Sequence, residues 1–270
     1  MTHTDTDLRA NSTTSQTAEP VVDLRDSAAP ARPAAPASGT GEQGHRGLGR
    51  MPALDGLRAI AVLAVLLYHA EVPWMPGGVL GVDVFFVISG FLITSLLLTE
   101  VSSAKYVDLK RFYLRRARRL LPALYAVLIG SMLLAVTVAT DAAQQLQRDV
   151  PAALAYVTNW VYVLTDQSYF QATGRPPMLE HLWSLAVEEQ FYLLWPIALV
   201  LVWRRGNVTW VRRVALVGAL ASTGWMLVLS LANGYPVPND PSRVYFGTDT
   251  HAMGLMLGAA LATAWRPDRI

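Results

Sequence analysis

Two ionisable side chains, Arg58 and His69, lie in the first long apolar stretch of the sequence. Eleven residues separate them, so on a helix they return to within about 20° of one face and lie about 16 Å apart along the axis. Charged groups are costly in apolar helices and often mark functional sites, and histidine exchanges protons near neutral pH. The spacing therefore predicts an acid–base group at His69 and a cationic site at Arg58. The alternatives are a histidine bonded to a carbonyl, and an arginine anchor paired with Asp55.

Two adjacent carboxylates, Glu188 and Glu189, lie in a second apolar stretch. Each costs several kcal/mol if it is buried without a partner. Helix geometry places both about 12 Å below the outer end of their span, at about the depth of His69. Both are candidate site residues; the alternative is that one pairs with Arg58 or with a backbone group. Asp83, near the outer end of another span, is suited either to orient a histidine or to cap a helix.

A basic cluster lies between the second and third apolar stretches. It comprises Lys105, Lys110, Arg111, Arg115, Arg116, Arg118 and Arg119. Arginine forks match the geometry of phosphate oxygens, so the cluster predicts a binding site for an anionic ligand. The alternative is a topology and lipid-headgroup determinant.

The composition indicates which elements position these residues. The chain is 53% hydrophobic and 16% charged, whereas soluble domains have about 45–50% apolar and about 25% charged residues. Six stretches are long enough to cross a bilayer: 54–70, 78–99, 120–140, 181–203, 214–233 and 249–265. The shorter stretch 150–164 is predicted to be re-entrant or to lie on the surface, with a seventh span as the alternative. The fold class is therefore an all-α polytopic transmembrane helix bundle.

The distribution of basic residues predicts the orientation of this bundle. With six spans and the N-terminus inside, 15 basic residues flank the spans on the inner side and three on the outer side. A seventh span changes this to 11 against seven, so the positive-inside rule favours six. Because the 20 arginines lie between apolar stretches, the basic balance indicates membrane topology rather than nucleic-acid binding.

Residues 1–50 differ from the rest of the chain. They hold six acidic residues, five arginines and the Ala/Pro-rich run 28–36, with no aromatic residue. Such a segment cannot bury enough apolar surface to fold, so it is predicted to be a disordered cytoplasmic tail that precedes an integral-membrane domain at 51–270. The absence of cysteine from the chain excludes a disulfide scaffold, thiolate nucleophiles and cysteine metal sites.

Five ordered blocks carry a resemblance to a known family. They are Leu54-Asp55-Gly56-Leu57-Arg58-Ala59 with His69, the block 81–93, Arg115-Arg116-Ala117-Arg118-Arg119-Leu120-Leu121-Pro122, Trp183-Ser184-Leu185-Ala186-Val187-Glu188-Glu189-Gln190-Phe191-Tyr192, and Tyr245-Phe246-Gly247-Thr248-Asp249-Thr250. Together they resemble the membrane acyltransferase-3 family, which includes bacterial O-antigen acetylases. The resemblance covers about 51–265.

The resemblance implies a plasma-membrane enzyme that moves an acyl group, often acetyl, from cytoplasmic acyl-CoA to a hydroxyl of an envelope glycan or a related acceptor. It implies that His69 is catalytic, that Arg58 is essential, and that Glu189 is a site residue. It also implies that the CoA phosphates are bound by Arg115, Arg116, Arg118 and Arg119. On this basis we expect His69 to take the proton of the acceptor hydroxyl, with Glu189 or Asp83 holding its imidazole and Glu188 contacting substrate. An acyl-histidine relay is the alternative. We expect no permanently bound cofactor.

Two departures from the family pattern keep other functions open. The chain has fewer spans than the family domain, which implies missing C-terminal helices or an outer domain, and His251 stands where the family commonly has arginine. A transporter or flippase would use Arg58, His69 and Glu188 as a substrate or proton path, and an inactive acyltransferase fragment is a further alternative. We expect no metal site, because the five histidines lack the close spacing of metal ligands.

Overall fold

The computed structural model describes residues 51–104, 106–170 and 176–265, and within these ranges the chain is helical without strands. The predicted tail at 1–50 lies outside the described residues. The helices are α1 (Pro52–His69), α2 (Gly81–Ala104), α3 (Leu109–Thr137), α4 (Ala143–Leu154), α5 (Thr158–Leu164), α6 (Leu182–Arg205), α7 (Val208–Asn233), α8 (Ser242–Phe246) and α9 (Thr248–Ala264). Short 3₁₀ turns at Pro76–Leu80 and Thr140–Ala142 precede α2 and α4.

Five helical segments of the described chain are long and apolar enough to cross a bilayer: Pro52–His69, Pro76–Ala104, Leu109–Thr137, Leu182–Arg205 and Val208–Asn233. They coincide with the first five predicted spans. The sixth predicted span, 249–265, corresponds to α9, which has 17 residues. The predicted all-α membrane bundle is confirmed as a fold class.

Six of the seven residues of the basic cluster lie in helix α3, and Lys105 lies outside the described residues. Helix α3 begins at Leu109 rather than near 120, because the side chain of Asp108 accepts a hydrogen bond from the backbone N–H of Arg111 at 2.9 Å. This N-cap satisfies one of the free donors of the first turn. The arginines at 115–119 therefore project from the first turns of a continuous 29-residue helix.

The stretch at 150–164 forms parts of two short helices instead of one span. Helix α4 ends at Leu154, Tyr156 has a left-handed backbone conformation with φ of 53°, and α5 begins at Thr158. At about 1.5 Å per residue, neither helix is long enough to cross the hydrocarbon core. A short re-entrant or surface segment fits this structure.

The tightest packing in the described chain joins α2 to α9. A Cβ atom at Gly90 would collide with the carbonyl oxygen of Leu255, and one at Gly258 would collide with that of Val87. Small residues at such positions let two helix backbones approach closely and gain van der Waals contact. Helix α1 is different, because Ala61 is its only buried residue.

Candidate active site

His69 is the last residue of α1, and both nitrogens of its exposed imidazole have partners. Nδ1 lies 2.8 Å from the carbonyl oxygen of Val65, one turn earlier in the helix. Because that oxygen only accepts hydrogen bonds, Nδ1 carries the proton in the neutral imidazole. Nε2 is then the acceptor, 3.3 Å from the hydroxyl of Tyr169. The helix itself thus fixes the tautomer that leaves Nε2 able to take a proton.

The partner of Nε2, Tyr169, was not predicted from the sequence. Its backbone N–H donates to the Ser242 hydroxyl at 2.7 Å, and its ring lies 4.4 Å from the ring of Tyr245. Burial raises the pKa of the Tyr169 phenol, so the group stays protonated and can donate to Nε2. One hundred residues separate the two partners, and no local pattern in the sequence marks Tyr169 as a contact of His69.

A cavity of about 310 Å³ lies between α1, α2 and α6. We call it the α1 cavity. Its walls are mostly apolar: Val62, Val65, Leu66, Val82, Phe85, Phe86, Ser184, Leu185 and Glu188. Glu188 is the one carboxylate of this lining, and it accepts a hydrogen bond from the Ser89 hydroxyl at 2.6 Å. Arg58 lies within electrostatic range of Glu188. Arg58 and His69 are not among the residues that line this cavity, but His69 lies one helical turn beyond Val65, which does line it.

Glu189 points to the other side of α6. Its carboxylate binds the Arg116 guanidinium, with Nε–Oε2 and Nε–Oε1 distances of 2.9 Å and 3.1 Å. The same guanidinium lies 3.4 Å from the ring centroid of Tyr192. The expected contact between Glu189 and the His69 imidazole is not formed, because the ring nitrogens face Val65 and Tyr169 instead. The role of Glu189 in catalysis stays a prediction.

A second cavity of about 450 Å³ adjoins this ion pair, between α3, the α4–α5 turn and α6. We call it the α3 cavity. Its lining includes Tyr113, Tyr156 and Leu193 besides Arg116 and Glu189. The Tyr113 hydroxyl donates to the carbonyl oxygen of Leu193 at 2.8 Å. Since Arg116 and Tyr113 already have partners, much of the polar surface of this cavity is satisfied within the protein.

The remaining arginines of the predicted phosphate site, Arg115, Arg118 and Arg119, are exposed on the first turns of α3. Their guanidinium groups are accessible to a ligand from that end of the helix. Arg116 differs from them because its side chain turns towards Glu189. The phosphate-binding role of the cluster stays a prediction.

Asp83 lies in the first turn of α2 and is half-buried. Its charge acts on Tyr245, whose pKa is raised chiefly by burial. The described contacts of the His69 nitrogens do not include Asp83. Asp83 is therefore close to Tyr245, whose ring packs against that of Tyr169. The role of Asp83 in orienting the imidazole stays a prediction.

His251 is 6% exposed and packs against aromatic rings, with centroid distances of 5.6 Å to Phe86, 5.6 Å to Trp183 and 5.3 Å to Tyr245. The arginine role of the family motif has no counterpart in this apolar setting. Within the described ranges, no group of three or more His, Asp or Glu side chains is arranged to hold a metal ion.

Glu180, just before α6, and Asp149, on α4, form a separate acidic pair. Burial raises the pKa of the Glu180 carboxyl to about 7, and the charge of Asp149 acts in the same direction. Asp149 is 1% exposed and accepts a hydrogen bond from the Tyr162 hydroxyl at 3.2 Å. This pair affects the pH dependence of folding rather than the contacts of His69.

The structure thus places a histidine with one unprotonated ring nitrogen at the end of an apolar helix in a helical membrane bundle. The acyltransferase domain family, acyltransferase 3, matches residues 51–270, and the chain belongs to that family. It is a multi-pass membrane protein.

Two relatives illustrate the similarity. The chain is 43% identical over 213 residues to the peptidoglycan O-acetyltransferase OatA of Listeria monocytogenes, which covers 78% of this chain and 33% of that protein. It is 42% identical over 207 residues to the O-acetyltransferase OatA of Staphylococcus aureus, covering 77% and 33%. The chain thus spans about a third of the length of these curated relatives. No solved structure matches it.

Proposed function

We propose that the chain transfers an acyl group, chiefly acetyl, from cytoplasmic acyl-CoA to a hydroxyl of a cell-envelope glycan. The observation that carries this proposal is the His69 imidazole, whose Nε2 is the unprotonated nitrogen and which lies one helical turn beyond Val65 in the wall of the α1 cavity. Similarity to proteins named O-acetyltransferase favours acetyl as the acyl group, and the name of the Listeria relative favours peptidoglycan as the acceptor.

The donor would enter from the cytoplasmic side. Its phosphates would bind the exposed Arg115, Arg118 and Arg119, because guanidinium forks pair well with phosphate oxygens. The thioester arm would then pass Arg58 and Glu188 through the α1 cavity and bring the thioester carbonyl to His69. This route requires the N-terminus to be cytoplasmic and the protein to lie in the plasma membrane, both of which belong to the proposal.

In the chemical step, His69 Nε2 takes the proton of the acceptor hydroxyl while that oxygen attacks the thioester carbonyl. The carbon–sulfur bond then breaks, and the imidazolium returns the proton to the leaving thiolate, so the products are the ester and CoA thiol. General base catalysis of this kind contributes about 10²–10⁴-fold.

The test is transfer of radiolabelled acetyl from acetyl-CoA to peptidoglycan fragments by the purified, detergent-solubilised chain. We expect label in an alkali-labile ester and stoichiometric release of CoA thiol. Turnover without any acceptor-bound label would contradict the assigned acceptor. A folded protein that neither binds acetyl-CoA nor releases thiol would overturn the proposal and favour transport, which should then respond to a proton gradient.

A further inference from the structure

A partly buried network of two side-chain amides and one hydroxyl joins three separate parts of the bundle. Gln190 lies on α6, next to Glu189; Asn159 lies on α5 and is 0% exposed; Thr248 begins α9. Gln190 and Thr248 belong to two of the five sequence blocks named above, and the structure brings them into direct contact.

The Gln190 amide makes four hydrogen bonds. Its Nε2 donates to the carbonyl oxygen of Tyr156 at 2.8 Å and to Oδ1 of Asn159 at 2.9 Å. Its Oε1 accepts from Nε1 of Trp160 at 3.0 Å and from the Thr248 hydroxyl at 2.6 Å. An amide offers two donors and two acceptor lone pairs, so every position is used, and this orientation of the amide is the one that its neighbours allow.

Asn159 and Thr248 complete the network. Nδ2 of Asn159 donates to the carbonyl oxygen of Phe246 at 3.0 Å and to the Thr248 hydroxyl at 2.9 Å. The Thr248 hydroxyl in turn donates a hydrogen bond to Oε1 of Gln190, so each donor of the network has one acceptor. A buried network in which every member is satisfied specifies one arrangement of the elements it joins, since any shift leaves a polar group unpaired.

The network is connected to His69 through a series of side-chain contacts. It holds the backbone of Phe246, whose ring lies 5.8 Å from that of Tyr169. The preceding residue, Tyr245, packs against Tyr169 at 4.4 Å, and the Tyr169 hydroxyl contacts His69. Helix α5, which carries Asn159, ends five residues before Tyr169.

We propose that Gln190, Asn159 and Thr248 are positioning residues of acyl transfer, whose amide network sets the Tyr169 hydroxyl against Nε2 of His69. This inference rests on the proposed function, since it assigns the network to the same site. The three residues touch neither His69 nor the α1 cavity, so they act through Tyr169 and its aromatic neighbours.

The test compares Thr248→Val, which removes the hydroxyl at nearly constant volume, with Thr248→Ser, which keeps it. We expect Thr248→Val to lower kcat for acetyl transfer by up to about 100-fold, because a displacement of about 1 Å at a reacting group has that effect. The KM for acetyl-CoA should change little, and the pH profile of kcat should shift. Thr248→Ser should retain activity.

Ser222→Ala is the matched control. The Ser222 hydroxyl is also buried and bonds to the carbonyl oxygen of Asp249 at 2.6 Å, yet it does not join the network. We expect this control to lower the Tm without changing kcat per folded molecule. If Thr248→Val behaves in the same way, with normal kcat and pH profile, the network only stabilises the fold and the proposal is overturned.

A second readout does not need turnover. The chain has no cysteine, so the double variant His69→Cys/Tyr169→Cys has only these two thiols, and a short thiol cross-linker reports their proximity. Adding Thr248→Val should lower the cross-linking rate, and adding Thr248→Ser should not. Equal rates would overturn the positioning role, whereas absence of turnover in the wild type alone would count against the proposed function.

Discussion

The two cavities on either side of α6 differ in how their carboxylates are satisfied. In the α3 cavity, Glu189 is held by the guanidinium of Arg116, which also packs on Tyr192. In the α1 cavity, Glu188 has the hydroxyl of Ser89 as its hydrogen-bond donor, with Arg58 within electrostatic range. Adjacent residues thus have different surroundings, because about 100° of rotation separates successive side chains on a helix.

This difference indicates separate roles for the two sides of α6. A carboxylate paired with a guanidinium joins α3 to α6 and contributes to stability. Glu188, which accepts a hydrogen bond from the Ser89 hydroxyl, can still accept hydrogen bonds from a ligand in the α1 cavity. We therefore expect substitutions near the α1 cavity to alter transfer, and substitutions at the ion pair of the α3 cavity to alter stability.

The largest expected effect is that of His69→Ala, which removes the proposed base next to the α1 cavity. We expect acetyl transfer to fall by about 10²–10⁴-fold, since general base catalysis contributes that much, while binding of acetyl-CoA is retained. Thiol release measured on folded protein checks this. An active His69→Ala variant would show that the α1 cavity does not hold the reaction.

Glu189→Gln should mainly affect stability. It leaves the Arg116 guanidinium without its carboxylate, and we expect the free energy of unfolding to fall by about 1–3 kcal/mol. A lower Tm in detergent, with kcat per folded molecule reduced less than in His69→Ala, is the expected result. A loss of kcat as large as that of His69→Ala at unchanged Tm would instead support the predicted catalytic role of Glu189.

Glu188→Gln should mainly affect transfer. The amide has the same shape but lacks the charge, so we expect kcat/KM for acetyl-CoA to fall by about 10-fold, or about 1.4 kcal/mol. The Tm should change less than in Glu189→Gln, because Ser89 can still donate to the amide oxygen. Equal effects of the two variants on both readouts would remove the distinction between the two cavities.

Glu180→Gln should have the smallest effect, outside both cavities. The folded-state pKa of Glu180, about 7, lies above its ordinary value of 4.5. Between these pH values the folded protein holds a proton that the unfolded protein releases, so the free energy of unfolding falls as the pH rises. We expect the variant to be more stable than wild type at pH 8, by about 1 kcal/mol after solvent screening, and equal to it at pH 4.5. The exposed Glu71→Gln is the matched control for thermal unfolding at both pH values.

The sequence predicts where the long helices lie, but it does not predict which residues of different helices are in contact. Apolar length predicted α1, α2, α6 and α7, because crossing a bilayer requires long apolar segments. Helix α3 begins before the predicted span at 120, because apolar length does not extend into its basic first turns, although Asp108 is a recognisable cap.

The contacts of the site depend on distant parts of the chain. Tyr169 meets His69 across 100 residues, and Arg116 meets Glu189 across 73. Helical periodicity orders residues around one axis but does not say which neighbouring helix each face contacts. Asn159 was visible as a polar residue in an apolar stretch, yet its partners became clear only once α5, α6 and α9 were packed together.

The most direct test of the account fills each cavity in turn and measures thiol release from acetyl-CoA. Val62→Trp places a large ring in the α1 cavity, and Leu193→Trp does so in the α3 cavity; both positions are exposed, at 44% and 57%. The account predicts that Val62→Trp sharply raises the KM for acetyl-CoA or abolishes release, whereas Leu193→Trp releases thiol like the wild type. Normal release by Val62→Trp together with loss in Leu193→Trp would contradict it.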